Sequence, residues 1–213
     1  MHTFDRNAFF ARMNSESERA CAVLGGALLE AKLEDLLRRK LRCFHDELLQ
    51  GTGAIATFSA RIRLARALDW ISDDARFDLD AIRKIRNDFA HSFDQNLSFS
   101  DRSVTDRCAN LRTAQAFIDG YEVAAVAPNR NLSAEAIYAM QAVFKPPRWR
   151  YQLAVEFLSQ YLDQITDEIP AYGSEDLIGA VRALSANTRI QISATGTVGP
   201  PPENQMRPPS EEG

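Results

Sequence analysis

The residues with most chemistry to offer lie in one stretch, Arg86-Asn87-Asp88-Phe89-Ala90-His91. It closes a helix whose apolar stripe is Leu79, Ile82, Ile85 and Phe89, at helical spacing. At about 100° per residue, Arg86 projects within about 20° of Leu79, inside that stripe. Desolvating a guanidinium costs several kcal/mol unless it is paired. Three arrangements accommodate it. A carboxylate from another helix pairs with it, or the stripe has an edge where it snorkels to water, or a cleft or subunit seam needs a fixed positive charge. His91 lies about 140° round the axis from Arg86 in a continuous helix. The two share a face only if the helix ends or bends near Ala90.

Two basic clusters are the other candidates. Arg38, Arg39, Lys40 and Arg42 form a run on the first long helix, and Arg61, Arg63 and Arg66 fall within six residues. Each reads as a solvated helical face or as a contact to RNA or DNA phosphate. The second cluster also has acids to pair with, at Asp69, Asp73 and Asp74. Operator binding needs these clusters, or Lys145–Arg150, to form one surface. Gly25-Gly26 weakens a helix interior by about 1 kcal/mol per glycine, and close approach of another helix is the use that explains it. A phosphate loop is excluded, since neither a preceding strand nor a following Lys-Ser/Thr is present.

Composition narrows the classes. The 213 residues are 45% hydrophobic and 25% charged, enough for one sizeable core. A net charge of −4 argues against a globally basic nucleic-acid binder, though not against a local basic patch. Cys21, Cys43 and Cys108 lack CxxC spacing and the three histidines are scattered, so no zinc cluster or other cofactor site is expected. An odd cysteine count without a secretory leader suits a reducing cytoplasm. No apolar run is long enough to span a membrane.

The elements that must position these residues are all helical. Residues 1–14 read as a lead-in with a turn near Phe9-Phe10. A long helix is predicted from Glu16 to Leu49, capped by Ser15, with Val23, Leu24, Ala27, Leu28, Ala31, Leu36 and Leu37 among its periodic apolar positions. Gln50-Gly51-Thr52-Gly53 breaks it. A second helix spans Phe58 to Trp70 and presents Phe58, Ile62, Ala65 and Leu68 inward. Ser72-Asp73-Asp74 caps the helix that carries the central motif. Ser100-Asp101 caps a helix from Arg102 to about Ile118, ended by Asp119-Gly120. A short strand is expected near Tyr121–Val126, and a helix from Ser133 to Phe144. After the stop at Pro146-Pro147, a strong helix spans Arg148 to Ile169, and a weak one follows from Ser174 to Ser185. The expected architecture is an all-α, compact multi-helix bundle over 15–185, with a disordered Pro/Gly-rich tail over 186–213.

Several short matches, in order, give the chain a resemblance. Gly51-Thr52-Gly53 leads into Phe58-Ser59-Ala60-Arg61-Ile62-Arg63-Leu64. Leu68-Asp69-Trp70-Ile71-Ser72 supplies a break, and the next helix ends in Arg86-Asn87-Asp88-Phe89-Ala90-His91. Between about Glu16 and Leu162 the chain resembles the mannitol operon repressor family. Asp69 stands where glycine is common in that family. The resemblance implies a compact all-helical regulator without an obvious helix-turn-helix, which represses by touching DNA or by holding a protein partner.

The same six residues match the R-polar-x3-H pattern of the helical HEPN ribonuclease superfamily. That resemblance implies a homodimer with Arg86 and His91 of both subunits lining an RNA cleft. Arg86 would stabilise the phosphorane charge. His91 would act as general base or acid, and Asn87 would orient one of them. No metal would be needed, and a 2′,3′-cyclic phosphate would be left.

The function expected from the whole sequence is a non-enzymatic negative transcriptional regulator. It works through a helical surface, as a homodimer, with a protein or nucleic acid as partner and no membrane. The alternative is the metal-independent endoribonuclease built on Arg86, Asn87 and His91.

Overall fold

The computed structural model describes residues 5–41, 46–93, 96–125, 142, 146–165, 178–179 and 181–182. Within them every regular element is a helix: α1 Arg6–Ser15, α2 Glu18–Lys40, α3 Phe58–Ala67, α4 Asp73–His91, α5 Arg102–Ala109, α6 Arg112–Ala125 and α7 Pro147–Gln164. Helix α2 packs against both α4 and α7, which also touch each other. Helix α3 lies on α2 and α4, α5 and α6 lie on α4 and α7, and α1 runs along α2.

The glycine pair is where α2 meets both neighbours. A Cβ on Gly25 would lie 2.9 Å from the Tyr151 ring and hydroxyl, and one on Gly26 would lie 2.6 Å from Arg86 Cγ. Only glycine lets the helices come this close. Tyr151 is fully buried and donates from its hydroxyl to Ala22 O at 2.7 Å. Burial holds its phenol pKa well above the usual value. Phe99 bridges Tyr151 and Phe89, with ring centroids 5.2 and 5.0 Å away. Cys21 and Cys108 are free and buried in the same core. Burial pushes both thiols up, Cys108 to about 12, so neither is a nucleophile at neutral pH.

Helix boundaries depart from the sequence expectation at several points. The lead-in is a full helix, α1, and Ser17 rather than Ser15 caps α2, accepting from Ala20 N at 3.2 Å. Helix α2 ends at Lys40 instead of Leu49, and Asp46–Leu48 forms a separate 3-10 turn. Its buried face is rotated: Leu29 and Leu33 are fully buried, whereas Ala27 and Ala31 are exposed. The single helix expected over Arg102–Ile118 is two, broken at Asn110-Leu111. Asp119-Gly120 does not end the second, which continues through Ala125, where a strand was expected.

Helix α7 begins at Pro147, a position that needs no N–H, and stops at Gln164 rather than Ile169. The expected helix over 133–144 falls outside the described residues except for Ala142, which is helical, and only 178–179 and 181–182 of the next are described, also as helix. The expected tail, 186–213, lies outside them too.

Helix α3 stops at Ala67 rather than Trp70 in a Schellman motif, with Trp70 N donating to Ala65 O at 2.9 Å. Asp69 occupies the left-handed position of that motif, at φ 56°. Glycine takes this conformation without strain, which explains why a glycine suits the position.

The break between α5 and α6 is bridged from α4. Asp78, fully buried, accepts from Arg112 N and Thr113 N at 2.8 Å each and from Thr113 Oγ1 at 2.6 Å. It thereby satisfies donors at the start of α6 that lack helical partners. Burial pushes its carboxyl up to about 6, against these hydrogen bonds and the nearby Arg112 charge.

Candidate functional site

Helix α4 carries the central motif, and its first turn is built as expected. Ser72 Oγ accepts from Ala75 N at 3.1 Å, and Asp73 and Asp74 favour the positive end of the helix dipole. Ser72 N donates to the Tyr161 hydroxyl of α7 at 3.0 Å. Leu79, Ile82, Ile85 and Phe89 are all fully buried.

Arg86 has a carboxylate partner from another helix. Its aliphatic stem lies across Gly26, and Nη2 is 3.3 Å from Glu30 Oε2. Nη1 donates to Asn87 Oδ1 at 3.1 Å. Glu30 Oε1 is also 3.7 Å from Arg61 Nη1, which is 3.0 Å from Glu34 Oε2, and Glu34 Oε1 is 2.8 Å from Arg38 Nη2. Charges of alternating sign thus run Arg86–Glu30–Arg61–Glu34–Arg38 along α2. Arg61 sits deepest, with 7% of its side chain exposed. Its remaining donors reach Ile55 O and Leu49 O, each at 3.1 Å, so the guanidinium also ties down the loop before α3.

The other half of the motif faces a different environment. Asn87, Asp88, His91 and Ser92 line a shallow groove with Leu97, Ser103 and Arg107. Asp88 and Arg107, both in its lining, pair with each other. His91 is the last residue of α4, exposed, and one turn beyond Asn87. The helix neither ends nor bends before it, so it does not join Arg86 on one face. Arg19 of α2 donates to Ser92 O at 3.1 Å and closes the helix end. Phe93, directly beyond, is fully exposed.

Within the basic clusters, Arg39 and Arg66 meet carbonyls and acids of this chain, as do Arg148 and Arg150. Arg39 donates to Ile165 O at 3.1 Å and Leu162 O at 3.4 Å, at the end of α7. Arg66 is 2.8 Å from Asp73 and 2.6 Å from Asp69. Hydrogen bonding to Arg66 holds the Asp73 carboxyl below its usual range. Arg148 donates to Met13 O, Asn14 O and Glu16 O, closing α1. Arg150 does the same for α5 at Cys108 O and Ala109 O. Lys40 is half-buried, Arg63 is exposed, and Arg42 lies outside the described residues. Arg61, expected off the apolar side of α3, is buried.

Sequence reasoning missed Glu30, Glu34, Asp78, Arg107 and Phe93. Three of these had a signal. Glu30, Glu34 and Arg38 recur every fourth residue on one helix. Asp78 projects within about 20° of Ile85 and so falls in the same stripe that exposed Arg86. Among the described residues, no cluster of His, Cys, Asp or Glu is arranged to hold a metal ion, and no helix is long and apolar enough to cross a membrane.

These features define a compact all-helical bundle whose seams are tied by arginines. The fold is MtlR-like. It is similar to a chain in the X-ray structure of the MtlR–HPr complex from Escherichia coli, with a TM-score of 0.52 and 20% identity over 73% of this chain and 96% of that one. No protein-family model and no curated protein matches the sequence.

Proposed function

We propose that this protein is a mannitol-repressor-like negative regulator of transcription. It works in the cytoplasm as a homodimer and holds a protein partner through a helical surface. One observation carries the choice of a protein over nucleic acid. Arg38, Arg39, Arg61 and Arg66 spend their donors on carboxylates and carbonyls of the chain itself. A phosphate-tracking surface needs such donors free. The similarity to a fold solved with HPr names the first partner to try. The face assigned to that partner is the end of α4, where exposed Phe93 adjoins the groove of Asn87, His91 and Arg107. An exposed aromatic beside a polar rim is the usual anchor of such contacts.

Calorimetric titration of HPr into the purified protein tests this. Binding is expected, about tenfold weaker for Phe93→Ala. No binding of HPr, together with DNA affinity that falls steeply with salt, would overturn the reading.

The ribonuclease alternative retains one supporting observation: Asn87 and His91 line the same groove, and Asn87 is bonded to Arg86. Arg86, however, is committed to Glu30. Incubation of wild type and His91→Ala with mixed RNA in EDTA decides it. Cyclic-phosphate ends from wild type alone would establish the nuclease.

A further inference from the structure

The groove between α4 and α5 is lined by hydrogen-bond donors that the chain does not use. Asn87 and His91 stand one turn apart on α4, and Ser103 and Arg107 stand one turn apart on α5. Asn87 accepts from Arg86 through Oδ1, and among the described residues its amide NH2 has no partner. Arg107 spends Nη1 on Asp88 and keeps Nε and Nη2. Among the described residues, neither the His91 ring nor the Ser103 hydroxyl makes a hydrogen bond. His91 and Ser103 are exposed, and Arg107 has 34% of its side chain exposed, so a visiting group can reach all of them.

We propose that this groove seats the carboxylate of an Asp or Glu side chain on the protein partner, beside the ring of Phe93. The inference rests on the partner-docking reading above and names what the partner must present, an acid next to an apolar hollow. An ionised carboxylate only accepts, and it takes about four hydrogen bonds. The unused N–H and O–H groups of the groove match that demand.

Charge selects a carboxylate over a phosphate. Arg107 is offset by Asp88 and a neutral imidazole adds nothing, so the lining carries no net charge. A single negative charge shares Arg107 with Asp88. A phosphate dianion, or the closely spaced phosphates of a nucleic acid, would meet the repulsion of Asp88 with no second cation in the lining. Phe93 supplies an apolar contact next to this polar one, the arrangement of core and rim found in protein interfaces.

Acetate titrated into the isotopically labelled full chain, followed by NMR, tests the site without any partner. Acetate should shift the signals of Asn87, His91, Ser103 and Arg107, and acetamide, its neutral counterpart, should shift them far less. Ser103→Asp should abolish the acetate shifts, because it fills the groove with a carboxylate of the chain's own. Ser103 is exposed in the first turn of α5, where an acid suits the helix dipole, so this variant should fold. Absent acetate shifts, or equal shifts with acetamide, would overturn the proposal whatever HPr does. Calorimetry with HPr then tests the source of the carboxylate. Binding about tenfold weaker for Ser103→Asp is expected, and likewise when one HPr acid is changed to its amide. HPr that binds Ser103→Asp as tightly as wild type would overturn the partner's acid as the occupant and leave the docking reading standing. No HPr binding, with the acetate shifts intact, would overturn the partner as the source and leave a site for a small carboxylate.

Discussion

The six-residue motif at the end of α4 spans two regions that differ in kind. Its arginine belongs to a seam. Arg86 lies over Gly26 and joins a line of alternating charges whose deepest member, Arg61, also braces the chain entering α3. Its histidine belongs to the surface, with Asn87 and Arg107 around it and an exposed phenylalanine beyond. Residues five apart in sequence thus serve opposite ends of the protein's needs. A charge packed into a seam needs partners to offset its desolvation, whereas Phe93 is fully exposed. The motif thus divides between an arginine paired with Glu30 across a helix seam and a histidine at an exposed groove.

The comparison is sharpest at Arg61. Arg61→Ala leaves Glu30 and Glu34 without their shared cation and two carbonyls without donors. A loss of about 3–5 kcal/mol is expected in urea unfolding. A loss under about 1 kcal/mol would show that the charge line does not hold the seam.

Asp78 tests the neighbouring seam through pH. Its carboxyl titrates near pH 6 when folded, against about 3.9 unfolded. Between about pH 4 and 6 the folded protein therefore holds a proton that the unfolded chain has released. Stability from this group is present below about pH 4 and is lost as pH rises through 6, by up to about 3 kcal/mol. Asp78→Asn removes that dependence. The difference between the two melting-temperature profiles over that window isolates it, and parallel profiles would contradict the assignment.

Gly26→Ala should cost about 1–2 kcal/mol. Helix propensity gains about 1 kcal/mol, but the new methyl would meet Arg86 Cβ at 2.7 Å, close to the backbone of α4 where little can yield. Thermal melts read the net effect.

At the surface end the effect should nearly vanish. His91→Ala is expected to stay within about 0.5 kcal/mol of wild type, while Arg86→Ala, which strands Glu30 in a half-buried site, should lose clearly more. Equal losses in the two variants would restore the motif as one unit.

Much of the fold was legible because helical periodicity is local. The stripe on α4, its Ser72 cap and the need for close approach at Gly25-Gly26 all follow from short-range geometry. The errors share a cause. Splitting Arg102–Ile118 into two helices required Asp78, which lies far away in sequence but reaches across to Arg112 and Thr113. The buried face of α2 was misjudged because an apolar helix in contact with several neighbours carries little amphipathic contrast. Arg38, Arg39 and Arg61 resembled a phosphate-binding patch because sequence records a charge but not its partner.

The sequence by itself determined that this chain is helical, that α4 buries one face, and that an arginine within that face needs an explanation. Tertiary structure alone decided which explanation holds. Whether a guanidinium meets a phosphate, a carboxylate or a carbonyl depends on groups brought within about 3 Å by the packing of other helices. That packing set Glu30 beneath Arg86 and left His91 and Phe93 facing outward.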